Sequence, residues 1–98
     1  MRRIADMTST ALNDRGRELG SNLGAALILA AERHGRDREF ARELVRIVVR
    51  EIEVAADRLR MAGLSAPVIE AYRSACREGC VELMRRFACS RAAARRAA

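Results

Sequence analysis

Lysine and tryptophan are absent from this 98-residue chain, and histidine and proline occur once each, at His34 and Pro67. All nineteen basic residues are arginine, a pattern that a GC-rich coding bias also produces, so the missing lysine carries no weight as a recognition signal. Aromatic residues are nearly missing too. With Phe40, Tyr72 and Phe87 alone, the interior must be built from Leu, Ile, Val, Ala, Met and Cys, as in a helical bundle. One proline and few turn clusters exclude an all-β fold. Three cysteines, an odd and unevenly spaced set, exclude a secreted disulfide framework. The opening MRRIADMTST has no apolar stretch of the kind a secretory signal needs. The most apolar run, residues 23–31, falls far short of the ~20 residues of a membrane span. These absences predict a cytoplasmic protein with no membrane partner.

Half of the residues are apolar, enough for one small domain covering residues 1–98. The net charge of +6 is unevenly distributed. Residues 83–98 hold Arg85, Arg86, Arg91, Arg95 and Arg96 and no acid, whereas residues 1–82 hold fourteen arginines against thirteen acids. Basicity is therefore a property of the C-terminal end, which can attract nucleic acid, an anionic surface or an acidic protein groove.

Residues 37–62 carry the clearest pattern. Phe40, Leu44, Ile47, Val48, Ile52, Ala55, Leu59 and Ala62 recur at steps of three and four, one side of a helix at about 100° per residue. Asp37 is placed to cap its start and Gly63 to end it. A first helix is expected over residues 9–34, after an N-terminal arm at 1–8. It carries Leu12, Leu19, Leu23, Ala26, Leu27 and Ala30 on one face, with Gly35 as its stop. The third helix, over 65–92, starts at Ser65 with Pro67 in its first turn. It aligns Val68, Ile69, Tyr72, Cys76, Cys80, Leu83 and Phe87, and a frayed basic tail is expected over 93–98. The fold expected is an all-α, three-helix, up-down-up antiparallel bundle.

Beside the leucine face of the first helix runs Gly16, Gly20, Gly24, at a constant spacing of four. An interior glycine costs about 1 kcal/mol relative to alanine, so three in register imply close packing against another backbone. Residues 25–31 are apolar all the way round, which implies burial on most sides. A lone three-helix bundle encloses no helix that fully. From this we expect a homodimer that thickens the bundle, with Gly16, Gly20, Gly24, Leu27 and Ile28 as its self-association residues.

Motifs for chemistry are sparse. One histidine gives no nucleophile–His–carboxylate set, Glu51 alone approaches an apolar arc, and no glycine-rich loop follows a strand. The chain is read as a non-enzyme without a cofactor, and His34 as a partner of the dipole at its helix C-terminus. Cys76 and Cys80, one turn apart, are the weak candidates for a metal site, but the chain offers too few further ligands for a closed one and small core residues explain them better. Arg38, Arg42, Arg46 and Arg50 form a ladder at i, i+4, i+8, i+12, with Glu39, Glu43, Glu53 and Asp57 spaced to neutralise parts of that face. The function expected is protein binding: a regulatory or inhibitory module docking on a larger protein through Arg38, Arg42, Arg46, Arg50, Arg85, Arg86 and Arg91. Nucleic-acid binding by the arginine-rich third helix is the alternative, and a cysteine-based metal bundle comes third.

Overall fold

Short polar residues punctuate the chain where the sequence places them. The Thr8 hydroxyl accepts the Ala11 amide at 3.1 Å and opens α1 (Ser9–His34). Gly35, at φ 72°, ends it in a left-handed conformation that side chains disfavour, and its amide donates to the Ala31 carbonyl. The Asp37 carboxylate then accepts the amides of Glu39 and Phe40, at 3.0 and 3.3 Å, and starts α2 (Arg38–Met61). The His34 ring packs against that of Phe40 in a tilted arrangement, with ring centroids 4.3 Å apart. A second turn through Gly63 leads to α3 (Ala66–Ala97), with Pro67 in its first turn. This computed structural model describes residues 8–35 and 37–97 and shows no strand among them. The expected arm, Thr8 apart, lies outside the described residues. No helix among them is long and apolar enough to cross a membrane.

α3 corrects the expected end near residue 92 by remaining helical to Ala97. Residues 91–97 are alanine and arginine, among the best intrinsic helix formers, and they hold the helix although all of them are exposed.

The tightest contact joins α1 to α3, which pack along much of their shared length, while α2 touches both far less. The buried residues of α1 are Leu12, Gly16, Gly20 and Gly24, so the glycine row is the centre of the contact and the leucines flank it. Contacts climb the two helices together. Gly16 meets Tyr72 and Ala75, Gly20 meets Cys76 and Cys80, and Gly24 meets Cys80 and Leu83. A methyl group on Gly20 would collide with the Cys76 carbonyl, and one on Gly79 of α3 would collide with the Arg17 backbone. Each backbone thus fills the space left by the other's missing side chain. The glycines expected to mediate self-association lie on this intramolecular seam.

The large side chains collect at one end. Leu12 of α1, Ile52, Ala56 and Leu59 of α2, and Ile69, Tyr72 and Cys76 of α3 form the buried core. Burying one Leu or Ile contributes about 1.5–3 kcal/mol, so this cluster is what holds α2. Arg73 adds a tether. Its side chain is 21 % exposed, and the guanidinium bridges Glu53 of α2 at 2.7 Å and Glu70 of its own helix at 3.3 Å. Hydrogen bonds from Arg77 and then Arg73 hold the Glu70 carboxyl below the usual carboxylate range. A depressed carboxyl contributes stability at neutral pH that is lost as pH falls through its lowered value.

The seam gives a graded prediction. Gly20→Ala must push backbone against backbone, and we expect a loss of about 2 kcal/mol or more. At Gly24 the nearest atom would stand 3.1 Å from the new methyl, a crowding that a small shift relieves. There the gain in helix propensity, about 1 kcal/mol, offsets most of the cost. Urea melts followed by circular dichroism check the order. Equal losses at the two positions would refute it.

Candidate docking cleft

Away from the core the three helices part. The N-terminal half of α2 has no buried residue: Phe40, Leu44 and Val48 are half-buried, and Val45, Ile47 and Val49 are 55 %, 48 % and 53 % exposed. Between this half-helix and the ends of α1 and α3 lies an open cleft of about 890 Å³. Leu27, Ile28, Ala31 and Glu32 line it from α1, Ala41 and Val45 from α2, and Met84, Phe87, Ala88, Arg91 and Arg95 from α3. A shallow groove continues it over Arg42 and Arg46. Residues 25–31, expected to be enclosed, are therefore not enclosed by their own chain, and Leu29 is 60 % exposed.

The reason for the gap is readable in the lining. Arg91 and Arg95 stand on the wall of α3 that α2 would have to cover. Closing α2 over them would strip water from two cations, and burying an unpaired charge is costly. Among the described residues no ion pair joins either arginine to Glu32, and the Arg91 guanidinium lies over the Phe87 ring, 5.6 Å from its centroid. The result is an apolar floor under a cationic rim.

The arginines singled out in the sequence divide around this cleft. Arg42, Arg46 and Arg91 border it, and Arg46 is partly neutralised by Glu43 at 3.4 Å. Arg38 and Arg50 are exposed on α2 outside its lining. Arg85 sits in a separate groove with Val81, and Arg86 is paired with Glu82 at 2.6 Å. Of the ion pairs expected along α2, Glu43–Arg46 and Asp57–Arg60 form, while Glu53 reaches across to Arg73. Leu27 and Ile28, expected at a dimer surface, are on the cleft wall. Sequence reasoning missed Met84 and Arg95 as cleft residues. The apolar character of Met84 was visible, but its helical position placed it beside the expected core face. Glu51, which the sequence places nearest the apolar arc of α2, is exposed.

The cysteines play a different part. Cys76 and Cys80 are buried in the seam, Cys89 is exposed, and all three are free thiols. Burial pushes the thiols of Cys76 and Cys80 upward, and at Cys76 a hydrogen bond with Tyr72 opposes that shift in part. Burial likewise raises the Tyr72 phenol. Among the described residues no group of three or more His, Cys, Asp or Glu is placed to hold a metal ion. Compared with known proteins, the chain matches no family model, no curated protein and no solved structure.

Thiol accessibility is directly measurable. In native protein a maleimide reagent is expected to label Cys89 fast, with Cys76 and Cys80 labelled only as the protein unfolds. Three equal labelling rates under native conditions, read by mass spectrometry, would contradict the seam.

Proposed function

We propose that this chain is a small helical protein-interaction module, regulatory or inhibitory in effect, that docks on a larger protein through the cleft. In this reading the chain runs up, down and up, and it acts by occupancy without catalysis. The observation that supports it is the open apolar cleft itself. A chain that places its core at one end and leaves Leu27, Ile28, Val45, Met84 and Phe87 around an open gap presents a contiguous apolar surface of the kind that marks a binding site.

A second reading draws on the length of α3. Because the helix persists to Ala97, Arg91, Arg95 and Arg96 are held on a rigid, exposed rod that can lie along phosphates without sequence preference. The apolar floor of the cleft finds no use in that reading, so protein docking is preferred.

The test compares wild-type bait with a Val45→Arg, Met84→Arg variant in a pull-down from source lysate with nuclease present. Both sites are exposed, and exposed substitutions usually change stability by no more than about 0.5 kcal/mol. A stoichiometric protein retained by wild type should weaken at least about tenfold on the variant. A partner held equally by both baits would remove the cleft from the interface. Loss of all captured proteins on nuclease treatment would shift the assignment to nucleic acid.

A further inference from the structure

We infer that the occupant of the cleft is an acidic amphipathic helix of a partner protein, about three turns of it, with its apolar stripe on the cleft floor and its carboxylates at the arginine rim. The inference rests on the docking reading above and adds the chemistry of the partner.

Shape and charge carry it together. The α3 wall from Met84 to Arg95 runs about 16 Å, the length over which a helix presents anchors at i, i+4, i+7 and i+11. The cleft is open along its length. A small ligand needs most of its surface enclosed, whereas a helix needs one side covered. The rim carries Arg42 and Arg46 on the α2 side and Arg91 and Arg95 on the α3 side, against Glu32 and the Glu43 that pairs with Arg46. Among the described residues no ion pair engages Arg42, Arg91 or Arg95. The same arginines that keep α2 from closing can be covered once an anion accompanies the apolar surface that covers them. A second copy of this chain fits poorly, because cleft facing cleft sets arginine against arginine. Nucleic acid meets the rim but offers no apolar stripe for Leu27, Ile28, Val45 and Met84.

The experiment selects displayed helical peptides on the full chain. All share one apolar stripe, and their flanking positions vary over Glu, Gln and Lys. Glu should be enriched over Gln by about tenfold at low salt, with the preference fading at high salt. It should also weaken on an Arg42→Gln, Arg46→Gln variant, which leaves in place the Arg91 and Arg95 that hold the cleft open, while Val45→Arg abolishes selection altogether. Enrichment of the stripe with indifferent flanks would overturn the acidic partner and leave docking standing. No enrichment over a scrambled-stripe library would overturn both. So would duplex DNA that outcompetes every acidic peptide. A homodimer in sedimentation that Val45→Arg dissociates would put a second copy in the cleft and overturn the inference.

Discussion

The backbone-to-backbone approach of α1 and α3 is the constraint from which the other features follow. It exists because Gly20 on one helix and Gly79 on the other leave room that no other residue would leave, and Gly16 and Gly24 extend the close approach to either side. Its energetic character is unusual for a small bundle. Glycine, alanine and cysteine bury little apolar surface each, so the seam gains from dense contact along two helices and not from a few large side chains. A pair made this close leaves little volume between its members for a third helix to fill. α2 must lie against the outside of the pair, and it finds a hydrophobic foothold at one end, through Ile52, Ala56 and Leu59.

That division explains why one chain has a dry end and a wet end. At the dry end the three helices meet around Leu12, Ile69 and Tyr72, and Arg73 is bridged on both sides. At the wet end apolar residues of comparable size line an open cleft, with Arg91 and Arg95 on its α3 wall. The contrast comes from the arginines at positions 91 and 95, since the aliphatic residues on both sides would otherwise favour closure. An apolar cleft is normally a cost to a monomer. Here the charge that prevents collapse also gives the surface its selectivity.

The helices were legible because their signals are local. Thr8, Asp37 and the glycines at 35 and 63 act on the few residues beside them, and the three-and-four periodicity of α2 needs no knowledge of the rest of the fold. The glycine row was legible as a place of close packing but not as to its partner. Spacing records that a backbone comes near, and is silent on whether that backbone belongs to the same chain. The cleft was less visible still. Val45, Leu27 and Phe87 look like core residues in a helical pattern, and nothing in that pattern says that α2 diverges before reaching them. The splay depends on which face of α3 carries Arg91 and Arg95 once the seam has fixed its rotation, and that is a property of the assembled pair.

The seam also behaves as a ruler. Sliding α1 along α3 by one, two or three residues brings a side chain onto a backbone that tolerates none. The shortest slide that returns glycine to the contact is four residues, about 6 Å along the axis. The row on α1 alone would therefore permit several stops. Burial of the Leu12 side chain in the core with Ile69 and Tyr72 selects one of them. A repeated gap and one anchored leucine give this pair of smooth helices a defined axial position, and with it a fixed offset between the end of α1 and the arginines of α3.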